Sequence, residues 1–247
     1  MHALATTTDL APRARHTRIE GRFAGYDGIA NGGYLAGVFL EALGTPAVVT
    51  LTRPTPVDRD LRIVAPAPDA VELHYAGRLL ARAVRDEGDF TPPDPVPVDL
   101  ALAQRCSYLG FAHHPAPDCF VCGTKRWPGE GLRVFAGTTG RGRVAAAWLP
   151  DAALGDRAGA VDARLVAAAL DCPGAWAIAS VGKNHRVPML LGTLRLRIVA
   201  PVRAGTPHVV VGEADGEAGR KRHARTAIYD AAGTLCAAAQ AIWLRME

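Results

Sequence analysis

Two apolar stretches of this chain have the pattern of buried helices. Residues 34–44 read YLAGVFLEALG and residues 164–174 read RLVAAALDCPG. Each stretch is apolar on nearly all sides, carries one acid (Glu41 or Asp171) and ends at a glycine. A helix that is apolar all round is enclosed by the protein rather than lying on its surface. The pattern therefore predicts two enclosed helices, each closed by its last glycine.

A two-residue period marks strands after each predicted helix. In residues 193–199, TLRLRIV, leucine and isoleucine alternate with threonine and arginine, which is typical of a strand with one buried face. Further strand-like stretches follow the two helices in the same order, over residues 51–64, 70–84, 196–210 and 226–244. The chain thus repeats one unit, a helix followed by strands. Two such units can pair their sheets side by side, as the subunits of homodimers do.

The segment that separates the two units is rich in proline and polar residues and covers residues 86–118, as expected of a connection. A short apolar piece inside it predicts a small helix that covers the sheet. The expected organisation is an N-terminal tail over residues 1–15, one repeat over residues 16–112 and a second repeat over residues 113–247. The predicted fold class is α+β, with two long antiparallel sheets, each wrapped round a central helix and joined side by side.

The first predicted helix begins on Asn31, Gly32 and Gly33, and this start has two interpretations. One is structural, because asparagine is a good N-cap and glycine lets the chain turn into the helix. The other is chemical, because a helix start has unpaired N–H groups and a partial positive charge. Without Cβ atoms nearby, a thioester carbonyl that becomes an oxyanion can approach those N–H groups closely. The stretch alone leaves both interpretations open.

Composition and charge narrow the classes of function. The 247 residues carry a net charge of +4, a scattered surplus that does not favour nucleic acid but is compatible with an anionic small molecule. No run approaches the roughly 18 consecutive apolar residues of a membrane span, and no apolar leader stands at the N-terminus. Five cysteines without a secretion signal suggest reduced thiols. We therefore expect a cytoplasmic protein with no membrane or nucleic-acid partner.

A buried helix that begins near a Gly-Gly pair and carries an acid about two turns later resembles the hotdog fold of acyl-CoA thioesterases and dehydratases. Two copies in one chain are similar to the double hotdog of the bacterial acyl-CoA thioesterase II type. Residues 119–137, CFVCGTKRWPGEGLRVFAG, also resemble the opening of many hotdog thioesterase-like proteins. The resemblance extends over nearly the whole chain after the tail. It implies a hydrolase that cleaves an acyl-CoA thioester with carboxylate-activated water.

The resemblance also implies three catalytic residues in the second repeat. The helix acid corresponds to Asp171, a threonine that opens the next strand to Thr193, and a glutamine in the last strand to Gln240. Asp171 is expected to act as a general base toward water or to attack the thioester itself. Thr193 and Gln240 are expected to orient the water by hydrogen bonding. No metal or redox cofactor is implied, since coenzyme A is part of the substrate.

A site shared by the two repeats is a further implication. The helix start of one repeat polarises the carbonyl, and the acid of the other activates water. The residues expected at the oxyanion and substrate side are Asn31, Gly32, Gly33 and Tyr34. The counterpart start in the second repeat, residues 161–163, contains no glycine. We therefore expect one competent site that uses Asp171 and a degenerate second site at Glu41.

A CxxC pair lies just downstream of two histidines in residues 113–122, HHPAPDCFVC. The four potential metal ligands in this segment are His113, His114, Cys119 and Cys122. Structural zinc sites usually take two ligand pairs from separated turns, whereas these four come from one short loop, so we assign no metal. A redox role is disfavoured as well, because no thioredoxin-like βαβ context surrounds the pair.

Two other functions stay open. One is a non-catalytic acyl-CoA or fatty-acid binding protein with the same fold. The other is a hotdog enoyl-CoA hydratase or dehydratase, although that chemistry normally uses a histidine near the helix start, where this chain has Asn31 and Asp162. The expected partner of the thioesterase is an acyl-CoA small molecule. A homodimer of the chain is compatible with the resemblance.

Overall fold

The computed structural model describes residues 15–44, 46–182 and 188–246. Its strands are β1 (Arg15–Thr17), β2 (Ala47–Leu51), β3 (Leu61–Ala67), β4 (Ala70–Tyr75), β5 (Arg78–Arg85), β6 (Gly137–Gly140), β7 (Arg143–Trp148), β8 (Met189–Ile198), β9 (His208–Ala218), β10 (Lys221–Asp230) and β11 (Leu235–Arg245). In the described residues they form one sheet of eleven strands in the order β1-β3-β4-β5-β2-β8-β11-β10-β9-β7-β6. Every neighbouring pair is antiparallel.

The sheet has two halves that meet at a single strand pair. The first half contains β1 to β5, and the second contains β6 to β11. β2 and β8 join the halves, with Val49 opposite Leu194. The period-two pattern of residues 193–199 does form a strand, and its leucines Leu194 and Leu196 are fully buried. The side-by-side pairing of two sheets expected from the sequence is therefore confirmed.

Three of the four helices pack on one face of the sheet. The helices are α1 (Gly32–Leu43), α2 (Val98–Ala103), α3 (Ala163–Ala169) and α4 (Cys172–Val181). α1 and α3 run antiparallel and cross closely at two glycines. A Cβ on Gly37 would lie 2.4 Å from Arg164 Cα, and one on Gly33 would lie 2.6 Å from the Ala167 carbonyl oxygen. Glycine is thus required here for helix packing, in addition to any role at the helix start.

The second apolar stretch forms two helices, where the sequence predicted one. α3 ends at Ala169 and α4 begins at Cys172, so Asp171 lies at the break between them. Pro173 gives the physical reason, because a proline ring inside a continuous helix clashes with the carbonyl four residues earlier and has no N–H to donate. The break turns the chain at Asp171 and leaves its side chain free to point toward α1.

Gly174, predicted to close the helix, instead lies inside α4. A Cβ there would come 3.2 Å from the Trp243 indole nitrogen, so the small residue lets α4 approach the sheet. The buried Thr226 hydroxyl donates to the Leu170 carbonyl (2.8 Å), which satisfies a backbone group freed by the helix break.

Residues 163–181 are long and apolar enough to cross a membrane by length and composition, and 67% of this window is buried inside the fold.

The first part of the connecting segment, residues 90–103, lies on the opposite, outer face of the second half. Val96 and Ala101 are buried in a second small core with side chains of β7, β9, β10 and β11. The Arg197 guanidinium stacks over the ring of Phe90, 4.7 Å from its centroid. α2 is therefore the short covering helix that the sequence predicts. The division of the repeats between residues 112 and 113 stays a prediction.

Candidate active site

Asp171 is the only carboxylate among the described residues that is buried, with 2% of its surface exposed. Its Oδ2 accepts hydrogen bonds from the Gly33 backbone N–H (2.8 Å) and from Asn31 Nδ2 (2.9 Å). Its Oδ1 is also buried and has no hydrogen-bond partner in the described part of the chain. Leaving a buried polar oxygen unpaired is costly, so this oxygen is available for a ligand or a water.

Burial raises the pKa of Asp171 to about 7, while the hydrogen bonds from Gly33 and Asn31 oppose this rise. The cause is desolvation, which disfavours the charged carboxylate relative to the neutral acid. Near neutral pH both forms of the side chain are therefore populated. A carboxyl group in this condition is suited to accept a proton in one step and to return it in the next.

Asn31 connects the start of α1 to this acid. Its Oδ1 accepts from the Tyr34 N–H (2.8 Å), which is the normal hydrogen bond of an N-cap residue, and its amide donates to Asp171. The structure thus brings the helix start of the first half and the acid of the second half together. The Gly33 N–H is used by Asp171 itself. The Gly32 N–H has no acceptor in the described residues, so it is the donor available to an oxyanion.

A cavity of about 200 Å³ opens at this meeting point and is lined by Asp171 and Gly32. A Cβ on Gly32 would lie 2.9 Å from Leu191 Cδ2 and 3.5 Å from Asp171 Oδ2, so the glycine keeps the gap beside the acid open. The rest of the lining is mainly apolar and comes from both halves of the protein. It includes Leu35, Leu51, Trp176, Met189, Leu191 and Trp243.

Tyr34 lies in the core instead of the cavity wall. Its ring stacks on Phe23 with centroids 4.0 Å apart, and Phe120 packs edge-on against it at 6.2 Å. Burial raises the pKa of the Tyr34 phenol, and the side chain is 6% exposed. The sequence analysis expected Tyr34 on the substrate side of the site, whereas the structure places its side chain in the core. Its contribution to the site is the backbone N–H bound by Asn31.

Thr193 and Gln240 lie on the opposite face of the sheet from Asp171. Leu194 on β8 and Ala241 on β11 belong to the core under the helices. Successive side chains of a strand point to opposite faces, so Thr193 and Gln240 point outward. A one-residue offset in a strand is enough to reverse the face. The structure does not bring the expected trio of acid, threonine and glutamine together, and neither residue is in position to orient a water for Asp171.

A group of three cysteines beside Asp171 was missed by sequence reasoning. Cys119, Cys122 and Cys172 are buried, and their sulfur atoms all lie within 4.8 Å of one another. Cys172 is 50 residues from the CxxC pair and only folding brings it there. Hydrogen bonding from Cys122 and Cys172 lowers the pKa of the Cys119 thiol well below its ordinary value, whereas burial raises that of Cys122.

The two histidines upstream of the CxxC pair have different positions. His113 is exposed, whereas His114 lines the cavity. His114 Nδ1 accepts the Ala116 N–H (2.9 Å), so the ring proton is on Nε2, which donates to the Cys122 carbonyl (3.1 Å). Burial lowers the pKa of His114. The ring is therefore neutral, and both of its nitrogens are engaged by backbone groups.

Glu41, the acid of the expected second site, is on the surface. It pairs with Arg164 (3.2 Å) and with Arg15 (3.6 Å), and 44% of its side chain is exposed. The role of Glu41 in the structure is therefore to form ion pairs with two arginines at the surface. Glu41 does not line the cavity that contains Asp171.

Solved structures of known proteins share this fold. The tesB protein of Mycobacterium avium subsp. paratuberculosis aligns with a TM-score of 0.57 and 13% identity, over 89% of this chain and 89% of that one. A candidate thioesterase from Novosphingobium aromaticivorans aligns with a TM-score of 0.61 and 14% identity, over 95% and 96% of the two chains. The dehydratase domain of a mycocerosic acid synthase-like polyketide synthase aligns with a TM-score of 0.56 and 15% identity, over 98% and 94%.

These likenesses establish the class of the fold. The chain is a double hotdog, as the resemblance of its sequence implies. No family model and no curated protein sequence matches it. Because thioesterases and a dehydratase share this fold at similar scores, the fold does not select the reaction, and the reaction has to be argued from the site.

Proposed function

We propose that this protein hydrolyses an acyl thioester, with coenzyme A as the thiol, in the cavity between its two halves. One observation supports this above all: a buried acid, Asp171, with an unpartnered Oδ1 lines an apolar cavity together with Gly32, whose N–H has no acceptor among the described residues. The apolar walls suit an acyl chain. The acid and the N–H supply the two polar groups that hydrolysis of a thioester requires.

In the proposed reaction, a water bound to Asp171 attacks the carbonyl carbon while the carboxylate takes its proton. The Gly32 N–H, at the positive end of α1, donates to the carbonyl oxygen as it becomes negative. The tetrahedral adduct then breaks its C–S bond, and the proton on Asp171 passes to the leaving sulfur. A positioned general base contributes roughly 10²–10⁴-fold to such a rate, and one oxyanion donor contributes roughly 10²–10³-fold.

The test is hydrolysis of acyl-CoA esters of increasing chain length. The reaction is followed as loss of the thioester absorbance, because a thiol reagent would also react with the exposed Cys106 of the protein. Asp171→Asn keeps the size of the side chain and its acceptor for the Gly33 N–H, so we expect a folded protein whose kcat is lower by about 100-fold or more. Glu41→Gln makes the same chemical change at the exposed acid and is the matched control.

Each other outcome of this assay has a definite meaning. If wild type and Asp171→Asn hydrolyse every ester at the same rate, Asp171 is not the base and the mechanism is wrong. If neither protein hydrolyses any ester while acyl-CoA binds in calorimetry, the protein is an acyl-CoA binding protein. If Glu41→Gln loses as much activity as Asp171→Asn, the assignment to the buried site is wrong.

Hydration or dehydration of an enoyl thioester is a second candidate, because His114 lines the same cavity as Asp171. An acid and a histidine are the groups that such chemistry uses. The hydrogen bonds of the ring argue against it, since His114 Nδ1 accepts the Ala116 N–H and Nε2 carries the proton. The ring then has no lone pair for a substrate proton. Turnover of crotonyl-CoA to 3-hydroxybutyryl-CoA that is lost in His114→Asn would favour this second reaction.

A further inference from the structure

The cysteine cluster of Cys119, Cys122 and Cys172 has the spacing of a metal site. The Cys119 and Cys172 sulfur atoms are 3.8 Å apart, and all three sulfurs lie within 4.8 Å of one another. Zinc binds a thiolate at about 2.3 Å in tetrahedral geometry, which places neighbouring sulfurs about 3.8 Å apart. The three side chains come from two separate segments, the CxxC loop and the first turn of α4.

The backbone of the CxxC loop is already folded around the first of these sulfurs. The backbone N–H groups of Val121 and Cys122 favour the thiolate form of Cys119, and the Gly123 N–H donates to the Cys119 carbonyl (2.9 Å). Gly123 is sterically required, because a Cβ there would lie 2.4 Å from that same carbonyl oxygen. N–H groups directed at a sulfur stabilise its thiolate form, which is the form that binds metals.

Side chains around the cluster supply further donors to the other two sulfurs. The His114 Nε2–H, which donates to the Cys122 carbonyl, also lies 3.4 Å from Cys122 Sγ and is shared between the two atoms. Asn31 Nδ2 lies 3.9 Å from Cys172 Sγ. His114 itself is not a ligand here, because its Nδ1 accepts the Ala116 N–H and the proton is on Nε2. Outer groups that donate to coordinating atoms are typical of metal sites.

We propose that Cys119, Cys122 and Cys172 bind one zinc ion, with the fourth coordination position directed into the cavity. On binding, the three thiols release their protons to solvent and the metal replaces them. All three cysteines line the cavity wall beside Asp171, and no fourth protein ligand joins the cluster among the described residues. Three protein ligands and one open position are the arrangement of a zinc site that can bind water or a substrate group. This metal site goes beyond the proposed hydrolysis, which does not require it.

Metal content of the purified full-length chain tests the proposal. After reduction, incubation with zinc and removal of excess metal, we expect about one zinc per chain by mass spectrometry. The variants Cys119→Ser, Cys122→Ser and Cys172→Ser should each weaken binding by about tenfold or more. The matched control is Cys236→Ser, because Cys236 is also a buried free cysteine but lies outside the cluster; it should keep the metal.

Cobalt substitution keeps the test decisive if a cluster variant fails to fold. Wild type loaded with Co²⁺ should show the intense near-ultraviolet band of thiolate-to-cobalt charge transfer and the visible bands of a four-coordinate site. Absence of these bands, together with substoichiometric zinc, would overturn the proposal. An equal loss of zinc in Cys236→Ser would also overturn it. Thioester hydrolysis measured on the same samples separates this proposal from the proposed function, since each can fail while the other holds.

Discussion

The starts of the two central helices each meet an acid of the other half, but in opposite environments and through different groups. At the start of α1, the Gly33 N–H binds Asp171 of the other half, and that acid is 2% exposed. At the start of α3, Asp162 caps the helix by accepting the Arg164 N–H (2.8 Å). Arg164 in turn pairs with Glu41 of α1, with 37% and 44% of the two side chains exposed. Each helix start therefore faces an acid of the other half, but only one acid is enclosed.

A duplicated helix and acid do not by themselves make a duplicated site. Burial raises the pKa of Asp171 to about 7, whereas hydrogen bonding to Arg164 holds the pKa of Asp162 below its ordinary value. An exposed ion pair contributes only about 0–1 kcal/mol to stability and leaves no oxygen free for chemistry. Glycine at the start of α1 allows the close, water-excluding contact, and arginine at the start of α3 prevents it.

The largest expected loss of stability comes from adding a methyl group at the crossing of α1 and α3. In Gly37→Ala the new Cβ meets Arg164 Cα at 2.4 Å, so the helices must separate, and we expect the free energy of unfolding to fall by about 3 kcal/mol. Urea denaturation followed by circular dichroism measures this. Gly140→Ala is the control, because a Cβ there meets nothing within 4 Å. Equal stability of the two variants would show that the helices do not cross as described.

A smaller change to the cavity separates packing from catalysis. In Gly32→Ala the new Cβ meets Leu191 Cδ2 at 2.9 Å and Leu191 Cβ at 3.1 Å. The end of the leucine can move and its Cβ has to give by only a few tenths of an ångström, so the stability loss should be about 1 kcal/mol. The new Cβ also enters the gap beside Asp171, and displacing the carbonyl should lower kcat by roughly tenfold to 100-fold. Steady-state hydrolysis and denaturation of the same sample measure both quantities. A kcat equal to that of wild type would remove Gly32 from the oxyanion site.

Mutation of Glu41, which pairs with Arg164 at the start of α3, should change the stability of the protein very little. Glu41→Gln removes ion pairs with Arg164 and Arg15 that are largely solvent-exposed, so the free energy of unfolding should change by less than about 1 kcal/mol. The difference should shrink further at about 1 M salt, where the screening length is about 3 Å. Denaturation at low and at high salt measures this change in the free energy of unfolding. A loss above about 2 kcal/mol at either salt lies well outside the range of about 0–1 kcal/mol for such pairs. It would contradict the view that Glu41 forms only a surface ion pair.

Periodicity predicted the two paired half-sheets but not every strand: β3 begins only at Leu61 and β9 only at His208, so most of the strand-like stretches 51–64 and 196–210 lies outside the strands. Enclosed helices and strands with one buried face appear directly in the spacing of apolar residues, and the repeat of that pattern predicts two paired half-sheets. The break at Asp171 was missed because an apolar stretch of this length also fits one helix, although Pro173 was the local signal for it. No residue near Cys172 in the sequence indicates that it joins Cys119 and Cys122, because tertiary contacts bring the three together.

The candidate site was predictable only in part, for reasons of strand geometry. Asn31, Gly33 and Asp171 meet as the shared-site hypothesis requires, since both helix ends are fixed by the packing of α1 on α3. Thr193 and Gln240 were placed by order along the chain, which does not determine the face of a strand. For Thr193 the alternation in residues 193–199 does indicate the face, because Thr193 falls among the arginines and opposite the leucines. Gln240 stands in a run of alanines, residues 237–241, where no alternation indicates a face.

The path of the connecting segment determines where the chain can be divided. Its contacts through Phe90, Val96 and Ala101 are all with the second half, so the last residue held by the first half's sheet is Arg85. A cut after Arg85 leaves the second fragment with its own apolar cover, whereas a cut at residue 112 strips that cover away. Two separately made fragments divided at Arg85 would meet along β2 and β8 and at the crossing of α1 and α3. Recovery of the Gly33–Asp171 contact would then report directly on fragment docking.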